Sequence, residues 1–355
     1  MVVDIRKGMP NPKLDRLEFE RRFLARFEDP AFDSLRPELR RAARIAWGAY
    51  DEGRKAPLTR QAGVGYADPS YDLSVDWLEA RAALDAATAE NLDPHGPDRV
   101  LLINASPRSE HTCPGEMSKT WRLLQTAADT LQAFDVRCDI LDLARLASGY
   151  DLAILPCKAC FSTSPALCHW PCSCYPNHSL AQVNDAMHSI YPMWMRAHGV
   201  MIVTPVHWYQ APTVLKSMMD RLVCADGGNP DPTTTHGKTV AEAKRLENGW
   251  RYPRHLAGRV FSVVVHGDAA GAEGLRRAIS DWMRDLGLRP AGEAALLDRY
   301  IGYYRPYGAS HAELDADDAI REETRNAART LQEAVRRARR GEPEPGQNLT
   351  RPRPK

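Results

Sequence analysis

The sequence predicts an α/β protein built on a doubly wound, five-stranded parallel sheet, with a helical N-terminal extension and a C-terminal helix. Three observations carry this. From residue 99 onwards, short apolar runs of strand length alternate with segments of helical pattern. The runs are nearly continuous in Val, Ile and Leu, as in strands buried on both faces. Three of them end in loops of unusual composition, and a doubly wound sheet binds its ligands where such loops leave the carboxyl ends of its strands.

Residues 1–98 read as the extension. LDRLEFERRFLARF (14–27) sets Leu17, Phe23, Leu24 and Phe27 at helical spacing, and ELRRAARIAWGAY (38–50) continues in kind. The Gly-, Pro- and Tyr-rich run 54–72 reads as an extended wrap. DWLEARAALDAATAE (76–90) is a plain helix, and the turn-rich NLDPHGPD (91–98) places a boundary before residue 99. The core spans 99–297. RVLLINAS (99–106) is its first strand, followed by a helix over 117–134 and a second strand, VRCDILDL (136–143). A cysteine-rich insert (157–180) and a helix (184–198) lead to the third strand, GVMIVTPV (199–206). A helix over 212–223 and a long insert (224–258) precede the fourth, RVFSVVVHG (259–267). A helix over 273–287 leads to RPAGEAALL (289–297) as the fifth strand. Residues 298–340 hold a Tyr-rich segment and a last helix over 312–339. The Pro-rich end, 341–355, lacks core-forming residues and is expected to be disordered.

With 47 Lys and Arg against 46 Asp and Glu, the formal net charge is +1, so no global field recruits nucleic acid. The Arg336, Arg337, Arg339 and Arg340 cluster reads as a solvated helix face. No stretch approaches the ~20 apolar residues of a membrane span. The first residues have no apolar segment of signal-peptide length, so the expected location is cytoplasmic. Thiols are kept reduced there, which argues against a disulfide framework for the eight cysteines.

The first strand-end loop is NASPRSEHTCPGEMSKT (104–120). Its hydroxyls (Ser106, Ser109, Thr112, Ser118, Thr120) and its cations (Arg108, Lys119) run into a helix start, where free N–H groups and the helix dipole suit a phosphate. A capped helix with no ligand is the alternative. The second loop, TPVHWYQAP (204–212), puts Pro205, Val206, His207, Trp208, Tyr209 and Gln210 directly after a buried strand. A stiff aromatic loop of this kind suits a planar heterocycle, and packing anchors are the other reading. The third, VVVHGDAAGAEG (263–274), offers His266, Gly267 and Asp268 at a strand end.

Together the three loops resemble the flavodoxin-like NAD(P)H-dependent FMN reductases. SPRSEHT (106–112) is similar to that family's phosphate loop. TPVHWYQAPTVLKSMMDR (204–221) is similar to its isoalloxazine loop and following helix. The resemblance covers about 99–297. It implies that Ser106 and Arg108, with Ser118 and Thr120, hold an FMN phosphate, that Pro205 to Gln210 line the ring, and that His266 to Asp268 close its other edge. Lys216, Asp220 and Arg221 match the pattern as packing and ion-pair residues. The sequence departs from the family in having Ala105 before Ser106 and an insertion, CPGEM (113–117), before the helix. The implied function is electron transfer from NAD(P)H through FMN to a quinone, flavin, nitro compound or similar small acceptor, in a homodimer or higher homo-oligomer. His207 and Tyr209 could donate a hydrogen bond to the acceptor. The N-terminal extension and the long insert are expected to roof the flavin or form the subunit interface.

The cysteine-rich insert, CKACFSTSPALCHWPCSCYPNHSL, leaves three readings open. Iron–sulfur flavoproteins of this superfamily hold a [4Fe–4S] cluster on a more compact motif. Here Cys157, Cys160 and Cys168 with Cys172 or Cys174 would supply the four thiolates, and the protein would be an electron carrier between proteins. A zinc site would use Cys157 and Cys160 as one arm, with thiolates or an imidazole (His169, His178) completing it. The third reading is a metal-free lid of small buried thiols. Cys138 and Cys224 read as packing residues, and Cys113 falls in the phosphate loop.

Overall fold

The computed structural model describes residues 13–52, 58–112, 115, 117–148, 153–175 and 185–342. Helices α1 (Arg16–Leu24) and α2 (Arg36–Asp51) come first, then a small antiparallel pair, β1 (Thr59–Gln61) with β2 (Asp72–Ser74), and α3 (Val75–Leu92). Asp15 caps α1 by accepting from the Glu18 N–H, and Ser74 caps α3. The central region follows as β3 (Arg99–Asn104), α4 (Lys119–Gln132), β4 (Arg137–Asp142), α5 (Arg145–Ser148), α6 (Cys160–Thr163), α7 (Met187–Arg196) and β5 (Gly199–Pro205). It continues through α8 (Thr213–Arg221), α9 (Val240–Glu247), β6 (Val260–Gly267), α10 (Ala272–Asp285), β7 (Arg289–Pro290) and β8 (Leu296–Tyr300). Helices α11 (Tyr307–Ala316) and α12 (Asp318–Arg339) close the chain.

The main sheet runs β4-β3-β5-β6, with β7 and then β8 both pairing parallel to β6. The chain leaves β3 for one neighbour and returns to its other side, so the strand order switches beside the carboxyl ends of β3 and β5. The order and the helices on both faces are flavodoxin-like. Alternation along each strand divides the core in two. Leu101, Ile103, Val200, Ile202, Phe261, Val263 and Val265 share one cluster with α7, α8 and α10. Val100, Leu102, Met201, Val203 and Val264 share the other with α4 and α12. All these strand side chains are fully buried, each worth about 1.5–3 kcal/mol relative to exposure.

Two expectations are corrected here. The fifth strand is broken: β7 ends at Pro290, a 3₁₀ turn spans Glu293–Ala295, and β8 resumes the ladder on β6. The Ser262 hydroxyl donates to the Ala295 carbonyl at 2.8 Å, and Gly292 at φ 156° makes the step. The last helix is two helices, because the Asp317 side chain accepts from the Ile320 N–H and starts a new one. In the Tyr-rich segment Tyr300 and Tyr304 are exposed on this chain, Tyr304 at 93%. The tail beyond residue 342, together with Cys113 and His178, lies outside the described residues.

The long insert is structured, and it holds the cysteine-rich insert in place. The Trp170 N–H donates to the Asn229 carbonyl (2.8 Å), the Asn229 N–H to the Cys168 carbonyl (2.6 Å), and Trp170 stacks on His255. From the extension, Trp77 Nε1 donates to the Pro171 carbonyl (2.9 Å), and the Ala67 N–H to Asp231 Oδ2 (2.7 Å). Among the described residues no helix is long and apolar enough to cross a membrane.

Candidate functional site

The carboxyl ends of β3, β5 and β6 converge on one cavity. At the end of β3, Asn104 Nδ2 donates to Asp142 Oδ1 (2.6 Å) and the Ala105 N–H to the Val203 carbonyl (3.0 Å), which ties the loop between β4 and β5. The chain then folds over the buried Ser106, whose hydroxyl accepts from the Arg108 N–H at 3.2 Å. Ser118, also buried, caps α4 by accepting from the Trp121 N–H at 3.1 Å. The first N–H groups of a helix have no intrahelical acceptor, so this start faces the loop as a donor surface.

Thr120 and His266 bridge two of the loops. Thr120 Oγ1 and His266 Nε2 lie 2.8 Å apart, both buried. Burial pushes the His266 imidazole down to about 3, with Lys119 and His207 adding to the effect, so the ring is neutral at physiological pH. Burial also lowers Lys119, opposed by Asp268 and reinforced by Arg108. His207 is lowered by burial as well, and Asp268 opposes the shift.

Close approach of the second and third loops depends on Gly267. A Cβ there would lie 2.6 Å from Val206 Cγ1, while the Val206 N–H donates to the His266 carbonyl at 2.8 Å. The Ile301 N–H donates to the Gly267 carbonyl (2.9 Å) and closes that side.

Of the thirteen residues expected at the site, ten line this cavity: Ser106, Arg108, Ser118, Thr120, Pro205, Val206, His207, His266, Gly267 and Asp268. Lys119 and Ile301 line it too. Lys119 was legible only as an alternative cation, and Ile301 gave no signal in a segment dominated by Tyr. Trp208, Tyr209 and Gln210 stand at the rim. They belong to a two-residue hairpin turn in which the His207 and Gln210 N–H groups donate to each other's carbonyls at 2.9 and 2.8 Å. Trp208 (φ 46°) and Tyr209 (φ 66°) are both left-handed, a conformation usually left to Asn and Gly. Trp208 is 94% exposed and Tyr209 63%. The turn's own hydrogen bonds do not use the Trp208 and Tyr209 N–H groups. Lys216 and Asp220 pair with each other on α8, and Arg221 forms a buried ion pair with Asp185. A larger groove, about 910 Å³, lies between α10 and α12 and reaches Val260, at the opposite end of β6 from these loops.

A model of NADPH-dependent FMN reductases matches residues 99–299, more than half of the chain. The chain belongs to the NADPH-dependent FMN reductase family. It is an FMN-dependent NAD(P)H oxidoreductase. Among solved structures it is similar to RosB with a bound intermediate, 8-demethyl-8-formylriboflavin-5'-phosphate, at 13% identity over 68% of this chain and 79% of that one, TM-score 0.46. It is similar to an NAD(P)H:quinone oxidoreductase from Methanothermobacter marburgensis at 15% identity over 70% and 98%, TM-score 0.36. The apo form of an NADH:FMN oxidoreductase matches at 14% identity over 70% and 91%, TM-score 0.35. Among curated proteins none matches. The donor set of the cavity fits the family's cofactor: three buried hydroxyls, two cations and a helix start suit a phosphate dianion, with the neutral His266, Gly267 and the Asp268 carboxylate on the side of β6.

The cysteines do not assemble the expected metal site. Among the described residues no group of three or more His, Cys, Asp or Glu is placed to hold a metal ion. The proposed set of Cys157, Cys160, Cys168 and Cys172 is divided by burial. Cys168 and Cys172 are buried in the core cluster that also holds Cys224. Cys160 and Cys174 meet at the surface of the insert with their Sγ atoms 3.4 Å apart. Cys157 Sγ accepts from the Ala159 N–H. Both ring nitrogens of His169 are engaged, with Ser173 Oγ (2.5 Å) and Thr235 Oγ1 (2.9 Å), so neither is left for a metal. The hydrogen bond with Cys174 draws the Cys160 thiol down to about 6, and burial pushes Cys157 up.

Proposed function

We propose that the protein passes electrons from NAD(P)H through FMN to a small planar acceptor such as a quinone, a flavin or a nitro compound. The observation that carries this reading is the convergence of the three strand-end loops on one cavity at the switch point of the sheet. FMN supplies the redox chemistry when bound, accepting hydride from the nicotinamide and releasing electrons to the acceptor. The chain's residues bind and orient. Ser106, Ser118, Thr120 and the start of α4 hold the phosphate, and Arg108 and Lys119 balance its charge. His266 stays neutral and fixes the Thr120 hydroxyl. The His207–Gln210 turn presents the Trp208 and Tyr209 N–H groups to the ring's polar edge, and Gly267 and Asp268 close the opposite side. The exposed Trp208, Tyr209 and Tyr304 support a further part of the reading, in which a second copy of the chain covers the rim.

The test is direct. Protein loaded with FMN should bind it one to one and oxidise NADPH or NADH only when a soluble quinone or nitroarene is supplied. A chain that takes up no FMN, or that binds FMN and never turns over a nicotinamide, overturns the proposal.

A further inference from the structure

The thiols of the cysteine-rich insert sort into two kinds. Cys168, Cys172 and Cys224 are buried, whereas Cys160 and Cys174 are partly exposed, and their Sγ atoms lie 3.4 Å apart. Cys160 opens the four-residue α6, and Cys174 sits in irregular chain fourteen residues later, so no strand ladder restrains either one. Around them the insert is fixed by Trp77, Asn229 and the two hydrogen bonds of His169. A local adjustment would bring the sulfurs from 3.4 Å to the ~2.05 Å of a bond. We propose that Cys160 and Cys174 form a redox-active dithiol, with Cys160 as the nucleophile and Cys174 as the resolving thiol, and that a hydroperoxide is its oxidant.

The chemistry balances within the pair. The Cys160 thiolate attacks one peroxide oxygen, the O–O bond breaks, and the leaving oxygen takes up a proton and departs as water or alcohol. Cys160 becomes a sulfenic acid. The Cys174 sulfur then attacks the Cys160 sulfur, the S–O bond breaks, and a water leaves with the Cys174 proton. Two thiols lose two electrons, the peroxide gains them, and a dithiol reductant reverses the bond. Two features favour Cys160 as the attacking thiol: the Cys174 sulfur within hydrogen-bond reach, able to donate to a Cys160 thiolate, and the nearby Lys238 ammonium, anchored on the Leu167 carbonyl. Cys157, the sequence neighbour in CKAC, turns instead to the Ala159 N–H.

The full-length protein is treated with equimolar hydrogen peroxide and its remaining thiols are alkylated. Trypsin has no site between Lys158 and Arg196, so chymotrypsin is used, which cuts after Phe161 and separates the two cysteines. A cross-linked pair of peptides assigned by fragmentation to Cys160–Cys174, reversible by dithiothreitol and retained in Cys157→Ser, is expected. Cys174→Ser should instead accumulate a Cys160 sulfenic acid that dimedone captures. A bond joining Cys157 to Cys160, both thiols alkylated after peroxide, or equal cross-linking in urea-unfolded chain overturns the proposal. The readout is the cross-link itself and not flavin turnover, so it stands or falls separately from the flavin reading.

Discussion

At the scale of single residues, charge and burial set what each cavity group can do. Arg108 is one of the two cations proposed to face the phosphate, with Lys119, and hydrogen bonds to charged groups are worth about 1.5–3 kcal/mol. Arg108→Ala is therefore expected to weaken FMN binding by roughly tenfold to a hundredfold, read by quenching of flavin fluorescence. Unchanged affinity would remove Arg108 from the phosphate site. His266 makes a prediction about acid. Its folded pKa, about 3, lies below the ordinary histidine value, so between these limits the unfolded chain binds the extra proton. Its contribution is complete above about pH 6.5 and is lost as pH falls, by up to about 1.4 kcal/mol per pH unit. His255, buried and lowered to about 4, acts in the same direction. Urea unfolding of His266→Gln at pH 7 and pH 5 should show a shallower loss of stability than the parent. A parallel loss would mean that the imidazole is not the group that titrates.

At the scale of elements, the loops are positioned by close backbone contacts that few residue types permit. Gly267→Ala places a methyl 2.6 Å from Val206 Cγ1, and overpacking of this kind costs about 1–3 kcal/mol. The variant should fold with a lowered melting temperature and a larger relative loss of FMN affinity, and wild-type FMN affinity would show that the second loop is not set by this contact. The aromatic turn holds two side chains in left-handed backbone, at about 1–2 kcal/mol each. Replacing Trp208 and Tyr209 by Asn and Gly is expected to raise stability by about 1–3 kcal/mol while lowering the rate with a planar acceptor, as where strain is kept for function. A melting temperature that falls would refute the strain.

Much of this level was legible in the sequence. The apolar runs at 99–106, 199–206 and 259–267 mark three strands because they are buried on both faces, whereas 136–143, with Arg137, Asp139 and Asp142, reads as a strand by its alternation and lies at the sheet edge, half-buried. RPAGEAALL is not one strand because Pro290 and Gly292 break it, a local signal outweighed by the apolar residues around it, and the Ser262 hydroxyl of the neighbouring strand then holds the Ala295 carbonyl. The division of the last helix rests on Asp317, whose capping role is hidden in an otherwise helical run of acidic and alanine residues. The cysteine spacing suggested shared ligands, but spacing along a loop does not say which thiols turn inward, and packing against Tyr191 and Cys224 decided that.

For the whole molecule, the second half of the extension (Ala67 to Arg81) and both inserts are joined in one assembly, whose buried Cys168, Trp170 and Cys172 share the core cluster of α7, α8 and α10. Asn229 is its hub: its backbone pairs with Cys168 and Trp170, and its amide donates to the Ala166 carbonyl (3.1 Å) and Thr234 Oγ1 (2.9 Å). Asn229→Ala leaves a buried carbonyl short of a donor, a loss of about 1–3 kcal/mol. Limited proteolysis should then cut within 157–175 and 224–258 sooner than in the parent, while the strands stay protected. Equal cleavage patterns would show that the inserts are held independently. Helix α8 ties this assembly to the cavity. The aromatic hairpin ends three residues before the helix's first residue, Thr213, and the last residue, Arg221, reaches the Leu155 carbonyl at 2.8 Å, the Asp185 carboxylate and the face of Tyr175. The helix is thus a strut with one end just past the aromatic turn and the other bolted to the cysteine-rich insert and its flanks, so the two regions share one rigid member.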